Sequence, residues 1–418
     1  MKGMKLDPHI RIFATLAVVF YPCLGGAVRS LAQSSGKEQF QGGTIRLLEE
    51  KPTSPQEGLS TTGVMFPQRL SPDRIERLLQ LAKERGQNRQ AVLDLLAKQD
   101  SWALSPDLLF AWLREWPEMK DHTDLLLAMR VRAVDSAKRM LVDGADPNSK
   151  TNDGSTALVY ASEHGDSEIT TRLLAAGADP NLGRRGGETP LLLAAHAGNY
   201  ELVKTLVGGG ADVHTSRKDG FTALMAGANS GNVDVVRLLL ARGADARARG
   251  PSGWSTLMFA AGSGAAEIAQ LLMDKGASVH APPAEDGSTV VIAAAIRRSP
   301  SLLRVLSKHG ADVNGKRTDG RTALILAAAD ENEYSPGDIE CLQILLEAGA
   351  NPNISDNLGW TPLMYVAQYG SAQIARALLE RGAELNVRNA KGQTALEIAI
   401  QAGQHDVAEV LRLAKATQ

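Results

Sequence analysis

The sequence predicts an all-α solenoid, built from short helix pairs stacked in register. Two recurring markers and the composition predict it. A Gly-x-Thr or near match falls at Gly154, Gly187, Gly220, Gly253, Gly287, Gly320, Gly359 and Gly392, in steps of 33, 33, 33, 34, 33, 39 and 33 residues. A Gly-Ala-Asp or close variant keeps pace with it at Gly144, Gly177, Gly210, Gly243, Gly276, Gly310, Gly349 and Gly382. Of 418 residues, 44% are hydrophobic but only 4% are aromatic. That balance suits thin repeated layers of small aliphatics better than one large core. Self-similarity at a fixed period marks an array in which each unit stabilises its neighbours.

Residues 186–218 show the local physics of one unit. Thr189-Pro190 opens a helix, with Thr at the N-cap and Pro at the first helical position. Leu191, Leu192, Ala194 and Ala195 form its apolar side, and Gly198-Asn199 ends it. A second helix carries Leu202, Leu206 and Val207 at helical spacing. Gly210 follows where a left-handed residue is wanted, and Ala211-Asp212 leads into a polar reversal.

The columns repeat from unit to unit. Ser136, Ile169, Leu202, Val235, Ile268, Leu302, Cys341 and Ile374 stand eight residues before the Gly-Ala glycine, and all but the serine are core-forming. Val159, Leu192, Met225, Met258, Ile292, Ile325 and Met364 stand three residues after the opening Thr or Ser. Glu397 breaks that column in the last unit, as a terminal layer facing water should.

These residues resemble the ankyrin repeat. Asp219-Gly220-Phe221-Thr222-Ala223-Leu224 and Gly359-Trp360-Thr361-Pro362-Leu363 follow the family's opening pattern. Leu173-Leu174-Ala175-Ala176-Gly177-Ala178-Asp179 and Leu238-Leu239-Leu240-Ala241-Arg242-Gly243-Ala244-Asp245 follow its close. Eight clear repeats start near residue 153, and a degenerate ninth starts near 121, with Thr123-Asp124-Leu125 and Gly144-Ala145-Asp146. The resemblance implies an array over 119–418, with turns projecting as fingers. It also implies a concave surface of fingers and first helices that binds proteins. The family's His after Thr-Pro-Leu is missing from every repeat, which predicts a stack held by apolar contact more than by polar clips.

Ahead of the array, residues 1–32 read as a signal peptide. Lys2, Lys5 and Arg11 precede an apolar run from Ile12 to Leu24, and Ser30-Leu31-Ala32 offers a cleavage site. The run is shorter than the about 20 residues a bilayer span needs. A retained anchor is the alternative, and Tyr21-Pro22 before Cys23 is wrong for lipidation. Residues 33–70, rich in Ser, Gly, Gln, Thr and Pro, read as a flexible linker. Residues 71–118 carry helical apolar spacing and three tryptophans, Trp102, Trp112 and Trp116. They are expected to form an N-terminal helical cap or a small module with its own partner.

Removing residues 1–32 takes away four Lys/Arg and one Asp, moving the formal net charge from −2 to −5. Such a balance argues against nucleic acid as a partner. It also leaves Cys341 alone, in a core column, where a buried apolar role is expected.

No catalytic constellation emerges. Gly310-Ala311-Asp312-Val313-Asn314-Gly315-Lys316-Arg317 imitates a phosphate loop but lacks the following Ser or Thr and comes after a helix. His164 and His196 fall near the ends of neighbouring first helices, with no third metal ligand evident. Asn353-Ile354-Ser355 is a glycosylation sequon by letter. No cofactor is expected.

Candidate contact residues come from two features of the fingers. Phe221, Trp254 and Trp360 share the slot just after the repeat-opening glycine, and Tyr160, Phe259 and Tyr365 sit deeper, on the first helices. Exposed aromatics on a rigid frame make partner anchors. The alternative is packing against neighbouring turns. On the anchor reading, Trp254→Ala and Phe221→Ala weaken capture and leave the melting temperature nearly unchanged. The finger cations, among them Arg185, Arg217, Lys218 and Arg249, would steer an acidic partner, or are merely solvated turn residues. An acidic insertion, Asp330–Asp338, accounts for the 39-residue step and is expected as an exposed loop between two helices of one repeat.

The expected protein is thus a monomeric, exported scaffold of the periplasm or cell exterior. It resembles bacterial ankyrin-repeat proteins and binds a protein partner without catalysis, with no membrane span after signal removal. A secreted effector that captures a host protein is the alternative.

Overall fold

The computed structural model describes residues 121–329 and 336–416. The segments expected at 1–32, 33–70 and 71–118 lie outside the described residues. Among the described residues, eighteen α-helices form nine consecutive pairs. They run α1 (Asp124–Arg130) with α2 (Val134–Val142), α3 (Ala157–His164) with α4 (Ser167–Ala175), and α5 (Pro190–His196) with α6 (Tyr200–Gly208). Next come α7 (Ala223–Ser230) with α8 (Val233–Ala241), α9 (Thr256–Ser263) with α10 (Ala266–Asp274), and α11 (Val290–Ile296) with α12 (Pro300–Lys308). The last three pairs are α13 (Ala323–Ala328) with α14 (Pro336–Glu347), α15 (Pro362–Tyr369) with α16 (Ala372–Glu380), and α17 (Ala395–Gln401) with α18 (His405–Ala416). Among the described residues there are no β-strands, only three isolated bridges inside fingers, such as Ser216 with Thr222.

One hydroxyl column starts every first helix. Thr123, Thr156, Thr189, Thr222, Ser255, Thr289, Thr322, Thr361 and Thr394 all adopt extended backbone, and each side chain accepts the amide three residues on. Each bond satisfies one of the donors a helix start leaves without a partner. At the other end of the pair, Gly210 has φ 95°, a conformation glycine adopts without a Cβ clash.

First helices pack on first helices and second helices on second helices, so one apolar core runs the length of the stack. Both sequence columns lie inside it: Ile169, Leu202, Val235, Ile268, Leu302, Cys341 and Ile374, and Val159, Leu192, Met225, Met258, Ile292, Ile325 and Met364. Glu397, the odd member, is exposed and closes a capping box on Thr394. Burial also pushes the Cys341 thiol up to about 11, with help from the Asp338 and Glu340 carboxylates.

Two expectations need correction. The insertion does separate α13 from α14, but its last three residues are not loop. Pro336 opens α14, as proline can at a first helical position. Asp338 is only 3% exposed and meets the Arg298 guanidinium at 3.0 Å.

Nor is the stack short of polar clips. Asn148 donates its amide to the Gly177 carbonyl at 2.9 Å and accepts the Asp179 amide at 2.8 Å. Asn181 does the same to Gly210 and Asp212, Asn314 to Gly349 and Asn351, and Asn353 to Gly382 and Glu384. These asparagines stand four residues after the Gly-Ala glycine. They supply the cross-turn bonds expected to vanish with the family's histidine. Asn353 is the sequon residue, and both ends of its side-chain amide are used in this clip.

Candidate protein-binding edge

The fingers are the loops between pairs, and each ends on the hydroxyl cap of the next first helix. Side chains one residue before the cap and four residues after it meet across repeats. Phe221 packs edge-on against Phe259 at 5.2 Å between centroids. His122 stacks on Tyr160 at 6.0 Å, with its Nε2 2.9 Å from the tyrosine hydroxyl. Within one repeat the same two slots join Trp254 to Phe259 at 5.6 Å and Trp360 to Tyr365 at 5.1 Å.

This geometry sorts the six candidate aromatics. Tyr160, Phe259 and Tyr365 are buried, so the expectation of exposed aromatics on the first helices is corrected. Each sits under the side chain that precedes a cap in its own or the neighbouring repeat. Phe221, Trp254 and Trp360 are half-buried and form the outer layer over them. Phe221 and Trp254 thus meet through Phe259 between them. Asp356, itself buried, accepts the Tyr365 hydroxyl at 2.7 Å. Burial first, and then that bond, pushes the Tyr365 hydroxyl well above the ordinary tyrosine range.

The cations also divide. Arg185 and Lys218 are exposed at equivalent finger positions. Arg217 pairs with Asp219 at 2.9 Å and lies over the Phe221 ring at 5.7 Å. Arg249 is exposed, yet its guanidinium donates to the Pro282 and Pro283 carbonyls of the next finger at 2.8 and 3.1 Å. Arg184, in the same finger as Arg185, pairs with Glu163 at 2.7 Å and donates to Ser155 at 2.9 Å. Part of the cationic row therefore joins neighbouring fingers, and Arg185 and Lys218 remain outward.

Exposed apolar side chains that sequence reasoning passed over complete this edge. Leu358 is 54% exposed at a finger tip, in a slot held elsewhere by Asp153, Gly186, Asp219, Ser252, Asp286 and Asp319. Ile296 and Ile400, near the ends of first helices α11 and α17, are 45% and 52% exposed. For Leu358 and Ile296 the signal was available, since each breaks a column that is polar or small in the other repeats; Ile400 stands in a column buried in the other repeats, as at Ala195, Ala228 and Ala261.

Among the described residues, no three His, Cys, Asp or Glu side chains converge as a metal-binding group. His164 is instead a partly buried imidazole whose pKa is held down to about 4, first by burial and then by the Arg132 and Arg130 guanidiniums. Among the described residues, no helix is long and apolar enough to cross a membrane.

Helix pairs in register, capped by one hydroxyl column and edged by projecting fingers, define a helical repeat solenoid. Four overlapping stretches, 125–217, 193–283, 279–356 and 334–417, match the family described as "Ankyrin repeats (3 copies)". The chain belongs to the ankyrin-repeat family. It is 38% identical over 73 residues to the potassium channel AKT1 of Oryza sativa subsp. indica, covering 18% of this chain and 7% of the channel. The Arabidopsis thaliana channel AKT1 is 40% identical over 73 residues, covering 18% of this chain and 8% of the channel. The chain therefore spans a small fraction of the length of these relatives. The crystal structure of the human ASB11 ankyrin repeat domain aligns with 54% of this chain and 98% of that chain, at 25% identity and a TM-score of 0.48. Ankyrin repeats mediate protein–protein interaction, and this array is such a module.

Proposed function

We propose that the protein is an exported scaffold that holds one protein partner on its finger-and-first-helix edge, in the periplasm or at the cell exterior. The observation that carries this reading is the outward chemistry of that edge. Arg185 and Lys218 stand exposed on successive fingers, and in later repeats Leu358 on a finger tip and Ile296 near the end of a first helix are exposed as well. Cations there favour encounter with an acidic surface, and desolvated apolar side chains supply holding energy. Recognition by a preorganised frame needs no catalytic group. Export rests on the apolar run from Ile12 to Leu24 and the Ser30-Leu31-Ala32 site.

Two measurements test it. Mass analysis of the protein from its native cell should find a chain beginning at residue 33 in a non-cytoplasmic fraction; an intact N-terminus in the cytoplasm overturns export. Cross-linking in that fraction, followed by comparison of the native chain with an Arg185→Glu, Lys218→Glu, Leu358→Ser variant, tests the edge. The variant should fold normally and lose the partner by at least about tenfold, and undiminished capture overturns the assignment.

A further inference from the structure

Three columns of polar bonds recur between neighbouring repeats, and all three fail at one place. In the first column, a finger-tip amide donates to a carbonyl of the preceding finger. Arg185 donates to Asp153, Lys218 to Gly186, Glu285 to Ser252, Thr318 to Asp286, Asn357 to Asp319 and Ala390 to Leu358, all at 2.8–3.2 Å. The position that should donate to the Asp219 carbonyl is Pro251, which has no N–H. Its finger tip is a short 3-10 turn, with Ser252 at φ 50°.

The second column is the asparagine clip. Between these same two fingers its position is His214, whose ring lies beside Gly243 but makes no such pair of bonds among the described residues. The third column is the N-cap residue of the second helices, whose side chain reaches back one repeat. Asn199 donates to the Gly165 carbonyl at 3.3 Å, Asn232 to Gly198 at 2.8 Å and Ser299 to Gly264 at 3.0 Å. Between α7/α8 and α9/α10 the residue is Ala265, which caps nothing.

Each column has exceptions or gaps of its own, as at Arg247 and His280 in the second. Among the described residues, only the junction between the α7/α8 pair and the α9/α10 pair loses all three. What remains there differs by side. On the helix side, α7 packs on α9 and α8 on α10. Ser263 donates to the Ala228 carbonyl at 2.9 Å, and Arg237 meets Glu267 at 2.6 Å. On the finger side there is contact without direction: the Gly220 and Arg249 backbones abut, and Phe221 rests edge-on against Phe259. The finger beyond the junction is tied firmly onward, through Arg247 to Gly276 at 3.1 Å and Arg249 to Pro282 and Pro283.

We propose that this junction is a hinge, at which the finger carrying Asp219 and the finger carrying Pro251 separate while the helices behind them stay stacked. The array then works as two arms, α1–α8 and α9–α18, whose fingers spread or close about Gly220 and Arg249. Each missing bond is of the kind that contributes a factor of roughly five to a closed state, so two finger clips together weigh more than about tenfold.

Peptide-resolved amide exchange on the full chain tests this. In the native protein, residues 212–222 and 245–255 should exchange at least about tenfold faster than the equivalent fingers 179–189 and 351–361, with α7 to α10 as protected as other helices. A His214→Asn, Pro251→Asn variant restores the residue types of the intact junctions and should slow both fingers toward the others. Uniform exchange across all fingers of the native chain overturns the hinge. So does fast exchange that the double variant leaves untouched, because the missing bonds would then not be its cause.

Discussion

Phe259→Ala separates a core role from a partner-contact role most sharply. The ring is buried between Phe221 at 5.2 Å and Trp254 at 5.6 Å, and it joins two repeats. Truncating a buried phenylalanine costs about 3–5 kcal/mol, from lost transfer energy and from the cavity. The two covering rings are half-buried and free to settle inward, which places the expectation near the lower figure, about 3 kcal/mol. At about 2–4 °C for each kcal/mol, the melting temperature should fall by roughly 6–12 °C. Phe259→Leu keeps most of the volume and should cost about 1 kcal/mol. Thermal and urea unfolding followed by far-UV circular dichroism measures both. A loss below about 0.5 kcal/mol for Phe259→Ala, together with lost partner capture, would falsify the packing argument and return the ring to the surface role first expected of it.

Other expectations follow from the clips and the titrating groups. Asn181→Ala removes bonds to Gly210 and Asp212 at 3.2 and 2.8 Å; because both are solvent-exposed, the loss should be about 1–2 kcal/mol in urea, and no change would show the ladder to be passive. His164 has its pKa lowered from 6.5 to about 4, so the stability it confers is complete above pH 6.5 and is lost as pH falls toward 4. Allowing for its partial exposure, the effect is roughly 1–2 kcal/mol; His164→Asn should flatten that limb of the stability–pH curve, and an unchanged limb assigns it to other groups. Cys341, its thiol pushed up to about 11, should resist Ellman's reagent at pH 8 in a Cys23→Ser background until urea unfolds the chain. Rapid native reaction would show the α14 region to be open.

Much of the fold was legible because an array repeats its own constraints. The hydroxyl at Thr189 recurs at Thr222 and Thr322, since every first helix faces the same unsatisfied donors. Ile169, Leu202 and Val235 recur because each layer buries the same face. Glu397 could be read as the odd member because an acidic side chain replaces the apolar residue of its column, and it is exposed. The asparagine ladder was less visible, because Asn148 and Asn181 look like ordinary turn residues until the next finger is placed beside them.

The candidate edge was legible only in outline. Shared slots located Phe221, Trp254 and Trp360 correctly at the finger bases, but depth is not written in a slot. Tyr160 and Phe259 are covered across repeats by residues 38 positions away, a relation set by the stacking of repeats, and Phe259 and Tyr365 are covered within their own repeat by residues 5 positions away, a relation set by how the finger folds back on its helix. Charge was misleading for the same reason: Arg249 reads as a free cation until the Pro282 and Pro283 carbonyls come within 2.8 and 3.1 Å. Asp338 reads as loop until the turn between α11 and α12 brings Arg298 to it.

The sequence by itself determined the period, the helix starts, the left-handed glycines and the buried columns, because these depend on interactions within one repeat or on a pattern common to all. Tertiary structure alone decided which aromatics are covered, which cations are spent on a neighbour, and where the bonds between fingers fail. Those depend on distances between residues that only the folded finger and the packing of one layer on the next bring together.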